Sequence, residues 1–219
     1  TLEVPLDEMK TLLRALTLHP SVPRILFDSR LPIYHSSTPP IGKLVLLNHP
    51  SDAHYFLAEV RFKYGQTEVS STASQRDVWD APSWTLYPRQ IEAETQIFHD
   101  LCDFHFNENS DQSHELRIHR KWFVPLIRRV LELGWEVVAE GQIFRNPTSM
   151  HIKVRTEQDW FDVEGHVGFE SSSIGLPSLL QSYRKGEHWI RLDDGSHGLL
   201  PEQWLAKYAP LADVGSSND

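Results

Sequence analysis

Between Tyr55 and Tyr64 the chain alternates strictly. Phe56, Ala58, Val60, Phe62 and Tyr64 fall on one side, with Leu57, Glu59, Arg61 and Lys63 on the other. This predicts a strand with one apolar face and one mostly charged face. Gly65-Gln66 offers a tight turn into Thr67 to Ser70, so the strand opens a hairpin. A different period follows. Phe123, Leu126, Ile127, Val130 and Leu131 recur at helical spacing and predict a helix from about Lys121 to Leu133 with a single buried stripe. Pro125 has to sit in its first turn, and Gly134 is a natural stop. A shorter helix is expected from Asp7 to about Leu16, carried by Met9, Leu12, Leu13 and Leu16, with Asp7 and Glu8 at its positive end. Another is expected to begin at Pro88, with Phe98, Leu101 and Cys102 turned inward.

The last third reads mostly as strand. Trp135, Val137 and Ala139 share a face, as do Ile152 and Val154. Phe161, Val163, Val167 and Phe169 alternate with Trp160, Asp162, Glu164 and His166. These predict three strands of one mainly antiparallel sheet, with Arg145-Asn146-Pro147 as a connecting loop. Leu176, Leu179, Leu180 and Tyr183 predict a short helix ended by Gly186. A strand from His188 to Leu192, a turn at Asp194-Gly195, Leu199-Leu200, and a final helix after Pro201 with Trp204, Leu205 and Tyr208 on its inner side complete the chain. The expected fold class is α+β, a mainly antiparallel sheet packed against several helices.

Toward the N-terminus the pattern is thinner. Arg24 to Phe27 and Lys43 to Leu47 are short apolar runs that read as strands. His35 to Gly42, with Ser36, Ser37, Thr38, Pro39 and Pro40, reads as a loop. By texture, residues 1 to 75 carry short strands and turns, 87 to 134 read as helical, and 135 to 210 mix strands with two short helices. The division this suggests is an N-terminal extension over residues 1–52, an α+β domain over 53–210 and a loose tail over 211–219. No repeat of 20 to 50 residues is visible.

Composition narrows the classes. In 219 residues, 40% are hydrophobic and 23% charged, which excludes a disordered chain. No apolar run is long enough to span a membrane. The opening TLEVPLDEMK lacks the basic start and apolar stretch of a secretory signal and has no initiator Met, so a trimmed, cytoplasmic piece of a longer chain is expected. A single cysteine, Cys102, forms no internal disulfide and no Cys-rich zinc site. The net charge of −9 makes a poor general binder of nucleic acid.

Against that acidic background one run is basic. Between residues 115 and 129, Arg117, Arg120, Lys121, Arg128 and Arg129 oppose only Glu115, with Trp122 among them. Such a run fits contact with a phosphate backbone or an acidic partner. The simpler reading, and the favoured one on the run alone, is a solvated helix face whose Lys and Arg stems cover apolar neighbours. His99, Asp100, Cys102, Asp103 and His105 form the densest candidate metal set, because a helix brings His99 near Cys102 or Asp103. The simpler reading puts His99 and Asp103 on the polar face and Cys102 in the apolar stripe. Asp159, Asp162 and Glu164, and the pair Asp193-Asp194, offer acid–base or magnesium chemistry. Asp162 and Glu164 share a strand face beside His166, yet alternation explains them as the wet side of a sheet, and Asp194 as a turn residue. There is no glycine-rich phosphate loop, no Gly-x-Ser-x-Gly elbow and no Gly-x-Gly-x-x-Gly fingerprint.

Taken in order, Gly134-Trp135-Glu136-Val137, Asp159-Trp160-Phe161-Asp162-Val163, Leu176-Pro177-Ser178-Leu179-Leu180, Arg191-Leu192-Asp193-Asp194-Gly195 and Leu199-Leu200-Pro201 resemble the helicase-associated region that precedes the motor in bacterial SWI/SNF-family helicases. Phe62-Lys63-Tyr64-Gly65, and Arg89 with Glu94, resemble the earlier part of the same region. The resemblance covers roughly Ala53 to Tyr208; Gln90 departs from it, standing where an acidic residue or Asn is usual. It implies a cytoplasmic parent chain with an ATP-driven motor on double-stranded DNA, C-terminal to this segment. No catalytic residue and no cofactor carry over. The segment is then a non-catalytic accessory or regulatory module whose partners are the ATPase motor of the same chain and either double-stranded DNA or another protein, with Arg117, Arg120, Lys121, Arg128 and Arg129 as the candidate contact. Two other readings stand beside it: a metal-assisted hydrolase using His99, Asp103, Asp162 or Glu164, and a protein-interaction domain unrelated to helicases.

Overall fold

In the computed structural model, which describes residues 4–18, 32–102, 107–108, 116–156, 161–170 and 172–215, the chain divides into two compact units. One comprises residues 1–45 and 56–118, the other residues 46–55 and 119–219. The architecture is α+β with mostly antiparallel sheets, the class expected from the sequence. The expected strand over Arg24 to Phe27 and the tail from Ser216 to Asp219 lie outside the described residues.

The first unit opens with α1 (Leu6–Leu18), whose Leu13 is buried against Trp79 and Leu86. Along the chain then come β1 (Tyr34–His35), β2 (Ile41–Asn48), β3 (Tyr55–Tyr64), β4 (Thr67–Ser70), β5 (Asp77–Asp80), β6 (Thr85–Pro88), α2 (Ile91–Cys102), β7 (Asn107–Glu108) and β8 (Leu116–His119), of which the end of β2 from Leu46, Tyr55 of β3 and His119 of β8 are counted with the second unit. The alternation of β3 holds as expected: Phe56, Val60, Phe62 and Tyr64 are buried. β4 pairs antiparallel with it through Tyr64↔Thr67. The turn requires Gly65, at φ +61°, because a Cβ there would lie 2.7 Å from Asp80 Oδ2 and 2.9 Å from the Tyr87 hydroxyl.

Two expectations change here. Pro88 does not begin a helix. It ends β6 opposite Asp77, where its missing N–H is tolerated at a strand terminus, and α2 starts at Ile91. Nor is the stretch from 87 to 134 helical throughout, since β8 interrupts it. Its Ile118 is fully buried, and its four residues are too few to display a period. The small sheet β1-β6-β5, with β1 parallel to β6, had no counterpart in the sequence reading.

A buried polar cluster joins the parts of this unit. Arg89 and Glu94 have side chains only 3% and 5% exposed. The guanidinium donates Nε–H to Glu94 Oε1 at 2.9 Å and Nη2–H to Oε2 at 2.5 Å. Its Nη1 donates to the carbonyls of Ala73 and Gln75. The Tyr64 hydroxyl donates to Glu94 Oε1 at 2.6 Å and accepts from the Gln90 N–H at 2.9 Å. Burial first, and then the bond to Glu94, push the Tyr64 phenol well above its ordinary pKa.

The second unit continues with a 3₁₀ turn (Arg120–Trp122) and α3 (Phe123–Glu132), whose Leu126, Ile127 and Val130 are buried. Pro125 lies in the first turn. Gly134, at φ +80°, ends the helix while Trp135 N–H bonds back to the Val130 carbonyl. β9 (Glu136–Ala139) and β10 (Gln142–Arg145) form a hairpin whose two turn residues, Glu140 and Gly141, both have positive φ. β11 (Ser149–Thr156), β12 (Phe161–Phe169), β13 (Ser172–Gly175), α4 (Leu176–Arg184), β14 (Trp189–Arg191), β15 (His197–Leu199) and α5 (Glu202–Gly215) follow.

Trp135, Val137 and Ala139 share a buried face as expected, but β9, β11 and β12 do not share a sheet. β9 and β10 extend to β15 and β14, whereas β11-β12-β13 form a separate antiparallel sheet. The reason is that β10 already has a neighbour on each side, β9 antiparallel and β15 parallel, so the strand after Pro147 has to start a new ladder. Against this ladder Val167, Phe169, Leu176, Leu179, Leu180, Leu192, Leu200 and Leu205 close one core.

Replacing Glu94 by Ala leaves a buried guanidinium without its counter-ion and is expected to cost about 3–5 kcal/mol of stability. Chemical denaturation measures it. The double variant Arg89→Met, Glu94→Leu should recover part of the loss.

Candidate functional site

The five basic residues arise from three different elements. Arg117 lies half-buried on β8 of the first unit. The others belong to the second unit. Arg120 and Lys121 stand exposed on the 3₁₀ turn, where the His119 ring nitrogen accepts the Lys121 backbone N–H and so fixes the start of the turn. Arg120 hydrogen-bonds the Asn48 side chain and lies 3.7 Å from Glu140. The Lys121 ammonium sits over the indole of Trp122, 5.6 Å from the ring centre. Arg128 is half-buried and faces α5: its guanidinium donates to Glu202 Oε1 at 3.1 Å and to the Leu200 carbonyl at 3.4 Å. Arg129 is exposed and 4.0 Å from Glu132, one turn on. Of these four candidate cations, Arg120, Arg128 and Arg129 are therefore each matched locally by a carboxylate. The exposed subset is Arg120, Lys121 and Arg129.

The other candidates separate in the same way. His99 is exposed on α2, where its neighbour Asp100 accepts from Gln96. Asp103 and His105 lie outside the described residues, as do Asp159 and the side chains of Cys102 and Asp162. Glu164 is exposed on β12 opposite Lys153, and His166 stands opposite His151. Asp194 is a turn residue, as expected: its Oδ1 accepts the Ser196 N–H at 2.9 Å and the Ser196 hydroxyl at 2.5 Å. Its Oδ2 receives Arg145, which also reaches Glu170 and the Ser196 hydroxyl. Among the described residues, no group of three or more His, Cys, Asp or Glu is placed to hold a metal ion.

One feature of the second unit escaped the sequence reading. Phe123, Phe144 and Trp189 meet edge-on, each pair of ring centres 5.8 Å apart, and the His197 ring stacks on Phe144 at 5.3 Å. Beside them an open hollow of about 430 Å³ is lined by residues 186–191 and His197. Burial, and then the nearby Arg191 charge, lower the His197 pKa. An aromatic wall with an imidazole stacked on it suits contact with a flat apolar group. The three aromatic residues are far apart in sequence and no local spacing connects them.

No known protein family, no curated protein and no solved structure matches the chain. Among the described residues, no helix is long and apolar enough to cross a membrane.

Arg128→Ala should lower stability by about 1 kcal/mol, because two partly buried hydrogen bonds are lost, whereas Arg129→Ala should change it by less than about 0.5 kcal/mol. Paired urea titrations test the contrast. A folded-state pKa depressed below that of the unfolded chain gives His197 a stabilising share above the ordinary histidine value of about 6.5. That share is lost as pH falls through the folded value. Thermal melts between pH 7 and pH 5 should show a decline that His197→Gln reduces.

Proposed function

We propose that this chain is a non-catalytic accessory module of a SWI/SNF-type DNA-dependent ATPase, docking to the motor of the same parent chain or to a partner protein. The observation that supports this most is what the residues of the resembling run do. Leu176, Leu179 and Leu180 of one fragment, Leu192 of the next and Leu200 of the last pack into a single core with Val167, Phe169 and Leu205. The run therefore reads as the recipe for a scaffold. Asp194 of the run is tied to the Ser196 hydroxyl of its own turn and to Arg145, which lies outside the run. A scaffold of this kind acts through its surface, by positioning or restraining what it touches.

The contact assigned to it is the basic run. Arg120, Lys121 and Arg129 present exposed charge, while Arg117 and Arg128 lie half-buried and support the elements that carry it. Phosphate or an acidic protein surface is the matching chemistry.

The test is made in the whole parent protein. On this reading, the reading frame beyond Asp219 encodes a motor with a phosphate-binding loop. Reversing Arg120, Lys121 and Arg129 to Glu together should lower DNA-stimulated ATP hydrolysis several-fold without unfolding the chain. A reading frame without such a motor, or substrate turnover by the 219-residue chain itself, would overturn the proposal.

A further inference from the structure

We propose that the outer face of the β11–β12 ladder carries a two-imidazole chelating site for a divalent transition-metal ion, formed by His151 and His166. The inference stands independently of the accessory-module reading. The two residues are directly opposed in an unbroken antiparallel register from Ser149↔Gly168 to Thr156↔Phe161. Opposed side chains in such a ladder project from the same face. Both are exposed, and neither imidazole is engaged by a hydrogen bond among the described residues.

The distance between the rings is the deciding quantity. Imidazole nitrogens bind such ions at about 2.0–2.1 Å, so two rings on one ion, at a right or tetrahedral angle, have centres about 4.5–5.2 Å apart. The His151 and His166 ring centres are 4.9 Å apart, tilted by 31°. The pair is already at chelating separation and needs only rotation about the side-chain bonds.

The ladder beneath holds them there. Val167 and Phe169, flanking the opposite face, are buried in the core. Gly165 lies so close under α4 that a Cβ would come within 3.3 Å of the Leu176 Cβ. The strand cannot shift without disturbing that contact, so the two imidazoles are pre-organised. One step along the same face Glu164 stands opposite Lys153, so a carboxylate and an ammonium of opposite charge flank the pair.

Two nitrogen donors select for the ion. Imidazole suits copper, nickel and zinc, whereas magnesium and calcium prefer oxygen ligands. Among the described residues there is no third ligand for a metal group, so the proposed site has two protein donors and water in the remaining positions.

The experiment titrates Cu²⁺, Ni²⁺ and Zn²⁺, with Mg²⁺ as control, into the 219-residue chain. Imidazole proton resonances and calorimetry are followed together. The His151 and His166 resonances should respond together, and Mg²⁺ should have no effect. His151→Ala and His166→Ala should each weaken binding at least about fivefold, nearly as much as the double variant, because a chelate fails when either arm is lost. His99→Ala, on the exposed face of α2, should leave affinity unchanged. If an alanine variant does not fold, His151→Gln and His166→Gln keep a polar face and are judged by the same criterion. A smaller loss in the single variants, or dissociation constants weaker than about 1 mM for all three transition ions, would overturn the site.

Discussion

The first unit depends on a buried charge that is fully answered. Removing a carboxylate and a guanidinium from water costs several kcal/mol per ion after relaxation. Arg89 and Glu94 meet that cost through the hydrogen bonds each of them makes. Glu94 receives two guanidinium bonds and the Tyr64 hydroxyl, while the rest of the guanidinium is absorbed by two loop carbonyls. Four pieces of chain are involved: the end of β3, the loop before β5, the exit of β6 and the first turn of α2. An apolar contact among them would tolerate sliding. This network does not, since displacement of any one piece exposes a charge to a low-dielectric interior. It also explains why α2 begins where it does. The Gln90 N–H is held by Tyr64 while its carbonyl accepts the Glu94 N–H, so the helix starts on a fixed residue.

The second unit uses charge differently. Its arginines mostly bridge elements near the surface. Arg128 connects α3 to the start of α5, and Arg145 connects the end of β10 to the turn before β15. Glu202 shows how closely such residues are shared, for it receives both Arg128 and the His188 ring. In an acidic chain this arrangement consumes much of the positive charge locally. A basic stretch in sequence is thus a smaller basic surface in space, concentrated on the 3₁₀ turn and the outer side of α3.

The fold was legible where burial is written residue by residue. β3 could be read because alternation marks each buried position, and α3 because its stripe repeats over nearly three turns. β5 and β6 were not legible, because their burial includes Asp80 and Thr85. A polar residue reads as surface until Thr67 and Ser83, which satisfy Asp80, are brought to it by the fold. Arg89 and Glu94 posed the same difficulty: the resemblance singled them out, but charge gives no sign of burial. Sheet membership was beyond reach for a further reason. Periodicity shows that β9, β11 and β12 are strands without specifying their neighbours, and the pairing of β10 with β15 decides that. The aromatic cluster and the His151–His166 pair are long-range or cross-strand meetings that depend on register, which no single segment encodes.

The interleaving of the two units has a consequence for biogenesis. Residues 46–55 belong with a body whose remainder begins at His119, so the polypeptide enters that body, leaves it and returns. During synthesis the first unit has all its parts once Ile118 has emerged. The ten-residue excursion, by contrast, must wait in an unfinished state for companions not yet translated. Because each body is built from two separate stretches of chain, no single cut liberates either of them whole.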